Sequence, residues 1–90
     1  EPTIRYETAH ACGELGEEEA VPHLILLLED DDSEVQLAGV GALGKIGGPL
    51  AKKVLTALVK DGDANLEEAA RIELEDLEFD DDPQGYLGEL

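Results

Sequence analysis

The chain has 90 residues, 42% of them hydrophobic, and this length fits one small domain with a thin core. Its formal net charge of −17, from 23 acidic and 6 basic residues, has the wrong sign for nucleic acid or an anionic membrane surface, so we expect neither as a partner. The chain shows no signal-peptide pattern and no apolar run near the roughly 20 residues of a membrane span, so we expect a cytoplasmic protein.

The first two predicted elements are helices over residues 3–14 and 18–29. Gly16 follows the first helix, as glycine often does at a helix C-terminus, and Pro22 stands in the opening turn of the second, where proline is tolerated. The second helix carries apolar residues at the spacing of one buried face, namely Leu24, Ile25, Leu27 and Leu28. A lone helix pair cannot bury such a face, so we expect neighbouring pairs to stack.

The next two helices are predicted over residues 33–45 and 49–60. Ser33 is predicted to be the N-cap of the first of these, with Gln36 completing a capping box. Three glycines of this helix each reduce its stability by roughly 1 kcal/mol where they are interior. We interpret them as positions where a neighbouring element packs closely, and a local kink is the alternative: Gly39, Gly41 and Gly44.

The last predicted helix ends near residue 78, with Asn65 as its N-cap and Glu68 at the capping-box position. Residues 80–90 form an acidic tail, for which two interpretations stay open: disorder, or a cap that folds back over the end of the repeats. No cap is recognised at the other end. We therefore expect an uncovered apolar face there, which meets further repeats of a longer parent chain or a second copy of this chain in a homo-oligomer.

The sequence matches itself at a shift of 31 residues without a gap. Identical pairs at this shift include Ala11 and Ala42, Gly13 and Gly44, Gly16 and Gly47, Leu24 and Leu55, and Asp30 and Asp61. The shift divides a repeat domain of residues 1–79 into repeats 3–33 and 34–64 and a half repeat 65–79. The predicted fold class is therefore all-α, an α-solenoid of about five helices in two and a half helix-pair repeats.

In these residues the chain resembles a HEAT-like repeat protein, an armadillo-like α-solenoid, of the phycocyanobilin lyase type. The resemblance covers residues 3–78 and rests on the runs Ala11-Cys12-Gly13-Glu14-Leu15-Gly16, Ala20-Val21-Pro22-His23-Leu24 and Ala42-Leu43-Gly44-Lys45-Ile46-Gly47. It implies a curved scaffold, in which the first helices of each pair form a convex side and the second helices line a concave side that binds a partner.

The function that the resemblance implies is a non-catalytic scaffold or adaptor that binds another protein. The alternative is an accessory subunit of an enzyme, similar to a phycobilin lyase, that acts with a partner chain. Six residues lie on second helices away from the buried stripe, and they are predicted to line the partner-binding concave face: Glu19, His23, Leu26, Lys52, Lys53 and Thr56.

The sequence predicts no catalytic residue, no cofactor and no metal site. Deoxyhypusine hydroxylase, which these repeats also resemble, holds a di-iron centre with His-Glu pairs in the first helices of several repeats. The corresponding pairs here are Tyr6-Glu7, Leu37-Ala38 and Glu68-Ala69. None of them is a His-Glu pair, so we do not expect an iron site, which needs several such ligands to converge.

Three further motifs have simpler interpretations than a site. His10 lies on one helix flank with Glu7 and Glu14, but because one helix supplies all three groups, a surface histidine is favoured over a metal ligand. Residues 61–65 begin like a calcium loop and lack its later glycine and glutamate. Cys12 is the single cysteine, which excludes an internal disulfide, and its repeat equivalents are leucines, so we predict a core residue.

The charge is unevenly distributed along the chain. Residues 35–65 hold four lysines and two acids, whereas the acidic residues concentrate on either side of this segment. Two explanations are open. A halophilic origin would keep an acidic protein soluble in a high-salt cytoplasm, where screening removes self-repulsion. Alternatively, the acidic ends attract a basic partner protein.

Overall fold

The computed structural model describes residues 1–81. Within this range the backbone forms one 3-10 helix at Glu18–Ala20, no strand, and five α-helices: α1 (Pro2–Leu15), α2 (Val21–Leu27), α3 (Ser33–Ile46), α4 (Gly48–Asp61) and α5 (Ala64–Asp81). The predicted all-α solenoid of about five helices is confirmed. The predicted tail at residues 80–90 lies outside the described residues from residue 82 onward, whereas Asp80 and Asp81 belong to α5.

The second predicted helix, over residues 18–29, is shorter than the sequence indicated. Pro22 has no N–H to donate back along the helix, so the segment before it forms a separate 3-10 turn and α2 begins beside the proline. At the other end, the N–H groups of Glu29 and Asp30 donate to carbonyls three residues earlier, at 3.1 Å each. This tighter geometry ends α2 at Leu27.

The predicted capping residues of α3 and α5 are wrong by one or two positions. Asp32, not Ser33, is the N-cap of α3, and its Oδ1 accepts hydrogen bonds from the backbone N–H groups of Glu34 at 2.9 Å and Val35 at 3.3 Å. A carboxylate is favoured there because its charge complements the positive end of the helix dipole. Gln36 therefore makes no capping box, and its side-chain amide donates to the carbonyl of Leu28 at 3.1 Å.

At α5, too, the capping residue is not the predicted one. The helix begins at Ala64, so Asn65 lies inside it and is not its N-cap. The Oδ1 of Asp63 accepts a hydrogen bond from the N–H of Leu66 at 3.0 Å, so aspartate again takes the capping position ahead of the predicted residue. The predicted capping box of Asn65 and Glu68 is therefore absent from this helix start.

The first helices of the repeats, α1, α3 and α5, pack side by side in chain order, and the second helices α2 and α4 pack against them. Helix α3 contacts all four other helices and is the centre of the array. The largest side chains with essentially no exposed surface come from three helices: Val21 and Leu24 of α2, Val35, Val40 and Leu43 of α3, and Leu55 of α4. Cys12 packs against this core, as predicted.

The helix ends repeat along the chain at the predicted spacing. Gly16 ends α1 with a φ of 69°, and Gly47, 31 residues later, ends α3 with a φ of 66°. Each donates its N–H to the carbonyl four residues earlier, to Cys12 at 3.2 Å and to Leu43 at 2.9 Å. Both positions need a positive φ, which glycine adopts without strain.

The contact between successive first helices also repeats. A Cβ atom on Gly13 of α1 would lie 3.0 Å from the Cα and 3.2 Å from the Cβ of Ala42 in α3. At the equivalent crossing, Gly44 of α3 faces the carboxylate of Glu73 in α5, and this carboxylate fills the space that a side chain on Gly44 would need. Glycine therefore lets the first helices approach closely at the same repeat position twice.

The interpretation of the α3 glycines as close-packing positions is confirmed for two of them and wrong for the third. At Gly39 an added Cβ would lie 3.3 Å from a methyl group of Leu28, and Gly44 is covered by Glu73. No atom lies within 4 Å of the position that a Cβ would take on Gly41. Gly41 faces an opening between helices.

Candidate protein-interaction surfaces

The six residues predicted for a concave face lie on three elements of the second-helix layer. Glu19 is in the 3-10 turn, His23 and Leu26 are on α2, and Lys52, Lys53 and Thr56 are on α4. The turn and both helices contact one another, so the structure brings these residues into one layer. Their role as a binding face stays a prediction.

We call the exposed side of α2 and α4 the second-helix surface. Leu26 is 70% exposed there, and the flanking Ile25 and Leu50 are each 39% exposed. Lys53 is exposed on α4, and Lys52 is half-buried. The hydroxyl of Thr56 donates to the carbonyl of Lys52 at 2.7 Å, so it is engaged with its own helix. This surface therefore combines exposed apolar side chains with ammonium groups in a chain that is otherwise strongly acidic.

A groove that the sequence did not predict runs along the first-helix layer. It has a volume of about 410 Å³, and α3 forms its floor between α1 and α5. Residues from all three helices line it, including Tyr6 and His10 of α1, Leu37, Ala38 and Gly41 of α3, and Glu73 of α5. A smaller hollow of about 230 Å³ shares Tyr6 and Glu34 with it and reaches Pro2 and Asp32. We call the larger cavity the first-helix groove.

The groove has an apolar middle. The ring of Tyr6 is 39% exposed and Leu37 is 40% exposed. Ala38 and Gly41 also line the groove, and their small size leaves space above α3. The Tyr6 and His10 rings meet edge to face, with their centroids 4.7 Å apart, and this contact gives the α1 wall a defined shape. The signal in the sequence was Gly41, a costly residue inside a helix, but glycine alone does not distinguish an open space from a close contact.

Charges at the groove are mostly negative. Lys45 donates to Glu14, 31 residues earlier in the chain, across a distance of 2.8 Å, and this hydrogen bond lowers the pKa of the Glu14 carboxyl. Glu34 lies at one end of the groove and Glu73 toward the other. Within residues 1–81 neither of these two carboxylates has a hydrogen bond or salt bridge from its side chain.

Glu73 occupies an unusual position for an acid. Its repeat equivalents are Ala11 and Ala42, and Ala42 makes the close contact with Gly13. Partial burial raises the pKa of the Glu73 carboxyl, and the negative charge of Asp76 raises it further, while Lys45 acts in the opposite direction. The helix crossing therefore holds a partly desolvated carboxylate whose ionised form is disfavoured.

An ion pair joins α1 to the turn before α3. The guanidinium of Arg5 binds both oxygens of the Asp30 carboxylate, with Nη2 donating to Oδ1 at 3.0 Å, and these bonds lower the pKa of Asp30. Asp30 also accepts a hydrogen bond from the N–H of Asp32 at 2.9 Å. The pair positions the turn that carries the N-cap of α3, and it engages Arg5 within the fold.

The outer face of α1 is uncovered. Ile4 is 63% exposed and Leu15 is 74% exposed, whereas the repeat equivalents of Ile4, which are Val35 and Leu66, are 1% and 6% exposed. The predicted apolar face at this end is therefore present. Pairing between copies of the chain through this face stays a prediction.

Among the residues that the structure describes, no group of three or more His, Cys, Asp and Glu side chains is placed to hold a metal ion. His10, the candidate metal ligand, instead contacts Tyr6 at the edge of the groove. None of the helices in residues 1–81 is both long and apolar enough to cross a membrane.

Comparison with known proteins agrees with the repeated helix pairs. A family model for HEAT repeats matches residues 1–75. No curated protein and no solved structure gives a match to the chain. HEAT repeats commonly act as scaffolds for protein–protein interaction, and the family is generally non-catalytic. Since the match covers most of the sequence and the helix contacts recur at the repeat spacing, the chain belongs to the HEAT repeat family.

Proposed function

We propose that this protein is a non-catalytic scaffold or adaptor that binds another protein through its second-helix surface. The observation that carries the proposal is the exposure of three large apolar side chains on α2 and α4, namely Leu26, Ile25 and Leu50, with Lys53 also exposed on α4. Large apolar side chains that stay exposed beside polar groups are typical of protein interfaces. Family membership supports the same function.

The chemistry of the surface indicates what the partner presents. Ile25 and Leu26 offer an apolar contact, and the exposed ammonium of Lys53 offers a charge that a carboxylate complements. The partner segment for this surface is therefore apolar with acidic residues at its edge. The basic partner that the acidic ends of the chain are predicted to attract would bind at other, acidic surfaces.

Affinity purification with the tagged chain from a native cytoplasmic extract tests the proposal. We expect a partner protein that is retained by the wild-type chain and lost with Leu26→Asp, because this substitution places a charge at the most exposed of these three apolar side chains and its site is too exposed to disturb the core. Ile72→Asp is the matched control, since Ile72 is 52% exposed on α5, outside both surfaces. Equal retention by the wild type and Leu26→Asp would contradict the proposal.

The alternative function, an accessory subunit of an enzyme of the phycobilin lyase type, rests on the resemblance of the repeats alone. It predicts a different result from the same purification. A coloured or metal-containing preparation, with an enzyme as the retained partner, would favour the accessory subunit over the general scaffold.

A further inference from the structure

The first-helix groove is a second surface, and the proposed function makes no use of it. Two features suit it to a ligand. Its volume of about 410 Å³ lies in the range of binding pockets, and its floor at Gly41 has no atom within 4 Å of the space above it. An alanine at this position would stabilise the helix by roughly 1 kcal/mol, so the glycine keeps the groove open at a cost to stability.

The charge of the groove selects a cationic ligand. Glu34 and Glu73 line it, and neither carboxylate has a hydrogen bond or salt bridge from its side chain within the described part of the chain. The one lysine of the lining, Lys45, already pairs with Glu14 at 2.8 Å. A partly desolvated carboxylate that receives no hydrogen bond destabilises the fold, and a docked cation that donates to it would offset that penalty.

The aromatic and apolar residues narrow the ligand further. The half-exposed ring of Tyr6 and the Glu34 side chain both line the groove and the adjoining hollow. A guanidinium stacks on an aromatic face and binds a carboxylate through two N–H groups, which an ammonium group does not. Between the acids, Leu37 and the low floor at Gly41 accept an apolar side chain.

The positions of the two acids along the axis of α3 set the spacing of the ligand. Glu34 is in the first turn of α3, and Glu73 contacts Gly44, ten residues further along the same helix. At 1.5 Å per residue these points are about 15 Å apart. An extended peptide rises about 3.3 Å per residue, so two side chains four residues apart span about 13 Å and reach both ends.

We infer that the first-helix groove binds an extended segment of a partner protein that carries two arginines about four residues apart, with an apolar residue between them. One arginine pairs with Glu34 and stacks on Tyr6, and the other pairs with Glu73. A second copy of this chain is a poor occupant. Its arginines Arg5 and Arg71 are engaged with Asp30 and Glu67, and two chains of net charge −17 repel each other.

The test uses the whole chain and the synthetic peptide Arg-Gly-Leu-Gly-Arg with blocked ends, titrated by NMR at about 0.15 M salt to screen non-specific attraction. The matched peptides are Gly-Arg-Leu-Arg-Gly, which has the same composition and a shorter spacing, and a version with citrulline in place of both arginines. We expect the first peptide to bind with shifts at the Gly41 amide, and the two matched peptides to bind at least about tenfold more weakly, since each charged hydrogen bond contributes about that factor.

Three variants locate the binding. Gly41→Leu fills the groove without changing the charge, and Glu73→Gln removes one acid, so each should weaken the first peptide by about tenfold or more. Glu75→Gln removes the same charge from the exposed surface of α5 outside the groove and should leave binding unchanged. Circular dichroism confirms that all three are folded.

Binding that Gly41→Leu leaves intact, or that Glu75→Gln weakens as much as Glu73→Gln, would overturn the inference, and so would equal affinity for the peptide with the shorter spacing. The variant Leu26→Asp on the second-helix surface should not affect this peptide. A negative peptide titration would therefore not contradict the proposed function, and a negative affinity purification would not contradict peptide binding in the first-helix groove.

Discussion

Replacing Gly13 by alanine probes the contact that stacks the first two repeats. The added Cβ would lie 3.0 Å from the Cα of Ala42, which is tighter than ordinary contact, and that backbone atom belongs to α3, which contacts all four other helices. Overpacking of this kind costs about 1–3 kcal/mol. Alanine also improves helix propensity by about 1 kcal/mol, so we expect Gly13→Ala to lower the free energy of unfolding by up to about 2 kcal/mol.

Gly41→Ala is the matched control, because the substitution is identical and no atom lies within 4 Å of the added group. Only the propensity gain applies, so this variant should be more stable than the wild type by up to about 1 kcal/mol. Urea unfolding followed by circular dichroism measures both variants. The two should differ by about 1–3 kcal/mol in opposite directions. If Gly13→Ala were as stable as Gly41→Ala, the close helix contact would not exist.

The remaining predictions concern charge and capping. Glu73→Gln should raise the free energy of unfolding at neutral pH by a few tenths of a kcal/mol, reduced by solvent screening, and Glu75→Gln should raise it less. Because the pKa of Glu73 is raised in the folded state, this gain in stability should be present above the folded pKa and vanish as the pH falls through that pKa toward the ordinary value of 4.5. Thermal melts of both proteins across this pH range measure the gain. A gain that persists at low pH would contradict the prediction. Asp32→Ala should cost about 1 kcal/mol in urea unfolding and Ser33→Ala much less, whereas the reverse order would restore Ser33 as the cap. If the acidity reflects a high-salt cytoplasm, the melting temperature should rise steeply from low salt to molar KCl, and a melting temperature that barely changes would exclude that explanation.

The repeat architecture was predictable because each unit carries the same physical requirements. Gly13 and Gly44 permit close helix contacts, and Gly16 and Gly47 adopt a positive φ, so selection for one geometry leaves the same residue at the same spacing. The helix type and order follow from this repetition together with the apolar spacing. The pair Gly13 and Gly44 therefore indicates both the repeat length and the close contact between first helices.

The capping residues were less predictable because neighbouring side chains compete for the same role. Asp32 and Ser33 are both good capping types, and the choice depends on which residue has extended backbone angles; Asp32 has a φ of −97° and a ψ of 119°. The sequence does not contain that angle. The turn before α5 presents the same ambiguity between Asp63 and Asn65.

The candidate surfaces were predictable only in part. The pattern of exposed residues on second helices identified Leu26, whose 70% exposure the structure shows, and the role assigned to it stays a prediction. The first-helix groove depends on three helices that are distant in the sequence, from Tyr6 to Glu73. Gly41 and Glu73 differ from the residues at the equivalent positions of the other repeats. The role of such differences can be inferred only when the positions of the neighbouring helices are known.

The central claim is that the first helices of successive 31-residue repeats stack through a close contact between Gly13 and Ala42. A nuclear Overhauser effect between the Hα protons of Gly13 and the methyl group of Ala42 measures it directly. We predict a strong cross-peak, since a Cβ on Gly13 would lie 3.2 Å from the Cβ of Ala42. Its absence, with the cross-peaks within α1 and within α3 present, would contradict the stacked arrangement.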